Sequence, residues 1–172
     1  MQPVTKSTNV SKILWISAVL IALVTALILA DTETRYSRFI EGLNDVGVEV
    51  LWSRSEEGTD KTTLHFDVVF RNASELPMSV EALNTQLLIN GTYVISPSIT
   101  EGEFLVAPKG ERTVPLEAVL WQNGSKMYLD ARASGQGRLE VTGRTRVRFQ
   151  TGRSGLKVFY DVQGVFPLRE GT

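Results

Sequence analysis

The chain begins with one long run of apolar positions and then changes to short segments in which apolar and polar positions alternate. The run spans residues 13–30, reads ILWISAVLIALVTALILA and contains no ionisable side chain. A helix of this length rises about 27 Å, close to the thickness of the hydrocarbon layer of a bilayer. Backbone amides in that layer must be hydrogen-bonded within the segment, so the pattern predicts a transmembrane helix at 13–30.

This run has two other interpretations besides a membrane anchor. A cleaved secretory signal has an apolar core of about 7–15 residues and a small-x-small cleavage site. The run here is longer and ends Ile28-Leu29-Ala30, which favours an uncleaved signal-anchor. A buried helix of a soluble domain normally has a polar face, whereas this run offers only Ser17 and Thr25.

The charges on either side of the run indicate its orientation. Lys6 and Lys12 precede it without an acidic residue, whereas Asp31 and Glu33 open the segment that follows. Positively charged flanks stay on the cytoplasmic side of a membrane. We therefore expect residues 1–12 to form a cytoplasmic N-terminus and the domain after the run to lie outside a cell membrane that the chain crosses once.

A helical pattern continues after the apolar run. Tyr36, Phe39, Ile40 and Leu43 recur at the spacing of one helix face. This pattern predicts a helical stalk at 31–45 in which the helix ends near Asn44. Such a stripe is typical of packing against a core, and the alternative is contact with the membrane interface.

From Val46 onward the period of the pattern is two residues, which indicates β-strands. Leu64, Phe66, Val68 and Phe70 alternate with polar positions in one clear half-buried strand. Further strands are expected near 113–120, 138–149 and 157–165, and a short helix is expected between Gly124 and Gly135.

The dipeptide Asn90-Gly91 separates two apolar runs. Both central residues of a type I′ turn need positive φ, so this dipeptide predicts a β-hairpin. About seven strands with turns between them predict an all-β fold over 46–168, with 169–172 as a tail. The expected architecture is an antiparallel β-sandwich of the fibronectin type III or immunoglobulin-like kind.

Composition removes several classes of function. The chain has 18 Lys and Arg against 19 Asp and Glu, without the basic excess of nucleic-acid-binding proteins, so we expect no nucleic-acid partner. It contains no cysteine, which rules out disulfides, thiolate zinc sites and cysteine nucleophiles. We expect the membrane as a partner, and an envelope protein as a second one.

Candidate catalytic chemistry is sparse. His65 is the single histidine, and its position beside Asp67 on the polar face of a strand favours a surface role over a catalytic or metal-binding one. No G-x-S-x-G elbow is present, and Gly135-Gln136-Gly137 lacks the rest of a phosphate-binding loop. The sequence therefore predicts no catalytic, cofactor-binding or metal-binding residues, and it predicts that the protein is not an enzyme and has no cofactor.

Two sets of residues remain as candidates for surface contacts. Arg144, Arg146 and Arg148 alternate along one face of a predicted strand. They are candidates for contact with an anionic surface, and the alternative is an ordinary solvated face paired with acids on the next strand. The second set consists of possible glycosylation sites in predicted turns, where Asn is also common for its turn chemistry. These sequons begin at Asn72, Asn90 and Asn123.

Five segments together resemble the late-embryogenesis-abundant type 2 domain, also called the water-stress and hypersensitive-response domain. They are His65–Asn72, Met78–Thr92, Val106–Gly110, Leu139–Gly143 and Gly164–Pro167. Ala73 departs from the pattern, because the family usually has Pro there. The resemblance implies an all-β sandwich with one short helix, an association with tolerance of drying, cold and salt, and no catalytic residues.

These observations lead to one main hypothesis and two others. The first is a membrane-anchored, non-catalytic, extracytoplasmic β-sandwich that acts in desiccation or osmotic stress protection or in organisation of the envelope. The alternative is an adhesion or assembly module that binds another envelope protein through an exposed sheet edge. An enzyme would require a deep pocket with convergent polar groups.

Overall fold

The structure is a computed structural model that describes residues 7–44, 46–99, 102–151 and 154–168. The first six residues and the predicted tail at 169–172 lie outside the described residues. The chain divides into two compact units, Met1–Ile40 and Glu41–Thr172.

Helix α1 spans Ser7–Asn44 without interruption and ends where the sequence pattern predicts. Its residues as far as Ile40 belong to the first unit, and its last turn belongs to the second. From Trp15 onward this helix is long and apolar enough to cross a membrane, by length and composition alone. Within it, the Thr25 hydroxyl donates to the carbonyl of Ile21 at 2.8 Å, which satisfies that hydroxyl inside the apolar run. A secretory signal near an N-terminus has the same character, so the membrane topology stays a prediction.

The stripe after the apolar run is divided between the two units. Tyr36 and Ile40 belong to the first unit and are exposed within it, and their packing against the β-domain stays a prediction. Leu43 is half-buried within the second unit. The side chain of Phe39 lies outside the described residues.

The second unit is a β-sandwich, which confirms the predicted fold class. Its strands are β1 Val46–Glu57, β2 Lys61–Asn72, β3 Met78–Ile89, β4 Thr92–Ile95, β5 Ser98–Ile99, β6 Phe104–Val106, β7 Gly110–Trp121, β8 Gly137–Thr151 and β9 Ser154–Leu168. One sheet has the order β1-β2-β7-β5, and the other has the order β4-β3-β8-β9 with β6 beside β3. Every strand pair in the described residues is antiparallel.

The core lies between the inward faces of the two sheets. The four apolar side chains predicted for β2 are all buried, and β8 contributes a matching buried set that includes Leu139, Val141 and Phe149. Aromatic rings from different strands meet edge to face, with ring centroids of Phe70 and Phe104 5.2 Å apart. Because the domain has no disulfide, this apolar packing is the main source of its stability.

The Asn90-Gly91 hairpin is confirmed. Both residues have positive φ, 50° and 78°, as a type I′ turn requires. The backbone N–H of Asn90 donates to the carbonyl of Arg138 at 2.9 Å, and the N–H of Arg138 donates to the Asn90 side-chain oxygen at 2.8 Å. These bonds join the hairpin to the start of β8.

The predicted short helix is α2, Gln122–Ala133. It buries Tyr128 against the sandwich, and the hydroxyls of its Ser125 and of Thr62 on β2 lie 2.6 Å apart. The strands that the sequence did not predict are β5 and β6, which have two and three residues.

Strands β3 and β8 approach each other closely at Gly143. A Cβ at this position would lie 2.8 Å from Thr85 Cα and even nearer to the carbonyl oxygen of Asn84. Both neighbours are backbone atoms of β3, which cannot move aside without disturbing the ladder. The pairing of the sheet therefore depends on glycine at 143.

Candidate functional site

The outer face of β3, β8 and β9 carries the arginines singled out in the sequence. On β8 the alternating positions Leu139, Val141, Thr145, Val147 and Phe149 are buried. Period-two geometry therefore turns Arg144, Arg146 and Arg148 toward the opposite, outer face of the sheet. The register places Arg144 opposite Asp161, Arg146 opposite Phe159 and Arg148 opposite Lys157 on β9.

Arg146, Arg148 and Lys157 surround the carboxylate of Glu81, and we call these four residues the cationic cluster. Arg146 Nε lies 2.8 Å from Glu81 Oε2, Lys157 Nζ lies 3.4 Å from the same oxygen, and Arg148 Nη2 pairs with Oε1. Glu81 sits at the point where the β3–β8 register shifts between Val80 and Ala82. Such an irregularity re-aims a side chain that regular pairing would place differently.

The cationic cluster has a surplus of positive charge. Its three cations share one carboxylate, which leaves a surplus of two positive charges. Glu103 accepts a hydrogen bond from Ser79 beside the cluster, and the surplus is still one when its charge is counted. The Glu81 side chain is 5% exposed, whereas those of Arg146, Arg148 and Lys157 are 40%, 39% and 50% exposed. The anion is therefore buried while the cations keep access to solvent.

The contacts inside the cluster are ion pairs without aligned hydrogen bonds. Neither carboxylate oxygen of Glu81 has a hydrogen bond of good geometry, and neither Nε of Arg146 nor Nε of Arg148 has one. The attraction is therefore mainly coulombic. The two Nε atoms are buried, so a second anion that approached from solvent would meet the exposed parts of the two arginine side chains.

Arg144 is in a different environment from the other two arginines. Its Nε lies 3.1 Å from Asp161 Oδ1, and both side chains are largely exposed. Exposed pairs of this kind contribute about 0–1 kcal/mol. The structure thus brings Arg146 and Arg148 together and leaves Arg144 in a separate, charge-balanced pair.

A groove of about 660 Å³ runs along the same outer face. Its walls include Asn84, Gln86 and Thr142, with Arg144, Arg146 and Phe159 beside them. Phe159 is a large apolar ring that is 64% exposed on this face. The groove is open to solvent, and its polar walls come from β3, from β8 and from Ser96 between β4 and β5.

The three sequons have different environments. The Asn72 side chain is buried: its Nδ2 donates to the carbonyls of Leu76 at 2.8 Å and Ala107 at 3.1 Å, and its Oδ1 accepts from the Ser74 hydroxyl at 2.7 Å. A glycan on Asn72 is incompatible with these contacts in the folded domain. Asn90 and Asn123 are exposed, so their glycosylation stays a prediction.

His65 lies between two carboxylates on the outer face of the other sheet. Its Nε2 is 3.4 Å from Glu56 Oε1 and its Nδ1 is 3.4 Å from Glu117 Oε1. A hydrogen bond from Arg54, with a smaller effect of His65, lowers the pKa of Glu56. Among the residues that the structure describes, no group of three or more His, Cys, Asp or Glu side chains is placed to hold a metal ion.

The last turn of α1 belongs to the second unit and packs within it. Tyr160 donates its hydroxyl to the carbonyl of Leu43 at 2.8 Å. Gly42 lies so near Ser74 that a Cβ would meet the Ser74 Cβ at 2.9 Å. Burial raises the pKa of Tyr160 to about 12, because the phenolate would lose its hydration there.

Comparison with known proteins gives structural neighbours only. No family model matches the chain, and no curated protein matches it. A protein from Archaeoglobus fulgidus is 16% identical with a TM-score of 0.43 over 70% of this chain and 94% of that one. The putative ApaA protein from Bordetella pertussis is 11% identical with a TM-score of 0.45 over 74% and 94%.

A third neighbour is a protein from Arabidopsis thaliana, 9% identical with a TM-score of 0.43 over 74% of this chain and 83% of that one. Similarities at these levels carry no conclusion about activity. The resemblance to the late-embryogenesis-abundant type 2 domain therefore stays a prediction.

Sequence reasoning missed two members of the cationic cluster. Glu81 lies in a mainly apolar strand, MSVEALNTQLLI, where a charged residue is itself a signal that a partner is near. Lys157 occupies an outward position on β9. Neither could be assigned to Arg146 and Arg148 without the register of three strands.

Proposed function

We propose that the protein is a membrane-anchored, non-catalytic, extracytoplasmic β-sandwich that protects or organises components at the surface of the membrane. The observation that carries this proposal is covalent continuity between the apolar helix and the β-domain. Helix α1 ends at Asn44 and strand β1 begins at Val46. With residues 13–30 in a bilayer, the helical residues 31–44, about 21 Å long, and the one-residue connection to β1 tether the domain near the membrane.

Localisation is tested on the full chain expressed in membranes. The chain has no cysteine, so Asn123→Cys on the exposed face of α2 creates a unique thiol. We expect a membrane-impermeant maleimide to label this thiol in intact cells and the chain to stay in the membrane pellet. Labelling only after lysis would reverse the proposed topology, and recovery of a shortened soluble domain would indicate a cleaved signal.

A role in stress protection is supported by the resemblance of the sequence to a water-stress domain. The test reconstitutes the full chain in vesicles and dries or freezes them with a labile enzyme outside. We expect retained enzyme activity and reduced dye leakage relative to vesicles that contain an unrelated single-pass protein at equal density. Equal losses in both preparations at every ratio would contradict protection.

An assembly role is the second candidate, and the sheet edges support it. Strand β9, with 15 residues, pairs in the described part of the chain only with β8 and is therefore an edge strand of its sheet, to which a further strand could add. Crosslinking in native membranes separates the two roles. One stoichiometric partner would favour assembly, and diffuse labelling would favour protection.

A further inference from the structure

We propose that the cationic cluster binds the phosphate groups of anionic lipids in the membrane that anchors the chain. This inference rests on the proposed anchor and adds a lipid-binding site to it. The ligand class is a phosphate oxyanion presented by a lipid headgroup.

The first support is the charge of the cluster. Three cations surround one buried carboxylate, and their side chains keep access to solvent. Guanidinium forks match phosphate oxygens in two-point geometry, and an ammonium adds a point charge. An incoming phosphate would neutralise the surplus positive charge through the solvent-exposed parts of these side chains.

The second support is that Glu81 positions the cations before any ligand arrives. Its buried carboxylate attracts three flexible side chains to one place, so part of their conformational entropy is lost on folding. Binding to a pre-positioned set costs less than ordering three separate surface chains. Glu81 is thus a positioning residue and the cations are the binding groups.

The third support is the place of the cluster within the sandwich. Val46, where the chain enters the β-domain, pairs with Asn72, and β3 then begins at Met78, which pairs with Phe149. Arg148 and Lys157 form the pair next to Phe149. The cluster therefore lies toward the end of the sandwich at which the chain enters, and the proposed anchor keeps lipid headgroups at high local concentration there.

The fourth support is the exposed ring of Phe159. It lies across the ladder from Arg146, and its neighbours two residues along β9 are Lys157 and Asp161. Aromatic rings beside basic side chains suit the headgroup region, where an apolar ring and a cation both find partners. A site for a soluble anion has no need of such a ring.

The test uses the full chain with a single reporter in nanodiscs. Gln150→Cys places a fluorophore on an exposed position next to the cluster, and Asn123→Cys places one on α2 at the other end of the sandwich. The discs contain zwitterionic lipid alone or with about 30% anionic lipid, and a nitroxide on a headgroup quenches nearby fluorophores. Nanodisc co-purification first shows that the chain is anchored, so a failure of the anchor is recognised separately.

We expect anionic lipid to increase quenching at position 150 and to leave position 123 unchanged. At about 1 kcal/mol per basic residue, a surplus of one to two charges favours the lipid-bound orientation by about 5-fold to 30-fold. Raising the salt to about 1 M, where the Debye length is about 3 Å, should abolish the difference.

The decisive variant is Arg146→Gln, Arg148→Gln and Lys157→Gln combined. We expect it to quench equally in both kinds of disc. The matched control is Lys61→Gln, Lys126→Gln and Arg138→Gln, which removes the same charge from the other end of the sandwich and should behave as wild type. Far-UV circular dichroism checks that both variants are folded.

Three results would overturn the proposal. One is equal quenching of the wild type in the two kinds of disc while the chain is anchored. Another is loss of the anionic effect in the control variant as well, which would indicate general charge attraction. The last is that the protein binds free inorganic phosphate and the fluorophore then stays away from the lipid of anionic discs, which would assign the site to a soluble anion.

Discussion

Replacing Glu81 with glutamine removes the one negative charge among three cations while keeping the size of the side chain. Removing one partner of a fully buried ion pair costs about 3–5 kcal/mol. Here the carboxylate is 5% exposed but the cations are 39–50% exposed, so they can turn toward water once the anion is lost. We therefore expect Glu81→Gln to lower the free energy of unfolding by about 1–3 kcal/mol, below the fully buried case.

The assay is urea unfolding of the full chain in detergent micelles, followed by tryptophan fluorescence. Asp161→Asn is the matched control, because it also removes a carboxylate from an arginine on the same face but in an exposed pair. We expect this control to cost less than about 1 kcal/mol. High salt should reduce the cost of Glu81→Gln, since it screens the repulsion among the remaining cations.

A double-mutant comparison tests whether Glu81 stabilises the fold through its ion pairs. In the background that lacks the charges of Arg146, Arg148 and Lys157, Glu81→Gln should cost clearly less than in the wild type, because the buried carboxylate then has no ion-pair partner in the cluster to lose. An equal cost in both backgrounds would show that Glu81 stabilises the fold through other contacts. A cost no larger than that of Asp161→Asn would refute the central role of the carboxylate.

Three further predictions concern the stability of the β-domain. Gly143→Ala should cost about 3 kcal/mol or more in urea unfolding, because its Cβ would meet the β3 backbone, whereas Gly102→Ala, with no described atom within 4 Å, should be near neutral. Asn72→Ala should cost about 2–3 kcal/mol in the same assay, because it removes the hydrogen bonds of the buried amide to Leu76, Ala107 and Ser74, and an unchanged midpoint would contradict that role. Tyr160 must stay protonated in the fold, so its contribution to the free energy of unfolding is complete below pH 10.0 and is lost as pH rises toward its pKa of about 12. Unfolding measured at pH 8–12 should show this pH-dependent loss in the wild type and a smaller one in Tyr160→Phe. At every pH, Tyr160→Phe should also be less stable by about 1 kcal/mol, because it lacks the hydrogen bond to Leu43.

The sheets could be predicted from sequence because their signals are local. Alternation in β2 and β8 identifies the inward faces directly, and Asn90-Gly91 identifies its turn through the need for positive φ. Strands β5 and β6 could not be predicted, since two or three residues do not establish a period. They become strands only because β7 and β3 offer them partners.

The candidate site could be predicted only in part, because only part of it depends on local signals. The outward direction of Arg144, Arg146 and Arg148 follows from alternation along one strand. Their different partners, Asp161 for the first and Glu81 for the others, depend on which residues three separate strands bring opposite one another. That register is a long-range property, and a shift by one residue would turn every side chain to the other face.

The Asn72 sequon shows another limit of prediction from local sequence. Asn-Ala-Ser is at once an acceptor sequence for glycan and a common turn sequence. What distinguishes the two is the burial of the side chain against Leu76 and Ala107, which belong to loops about 4 and 35 residues away. No local pattern contains that information.

The positions at which the chain enters and leaves the sandwich determine how the domain carries mechanical load. It enters at Val46, opposite Asn72, and leaves at Leu168, which pairs with Gly137 at the other end of the long strands. A pull between an anchored helix and something attached to the C-terminus would therefore run along β1. The β1–β2 ladder, from Val46–Asn72 to Glu57–Thr62, would then be loaded in shear, with its hydrogen bonds sharing the force at once rather than opening one after another. The domain is thus arranged to resist extension along its own strands.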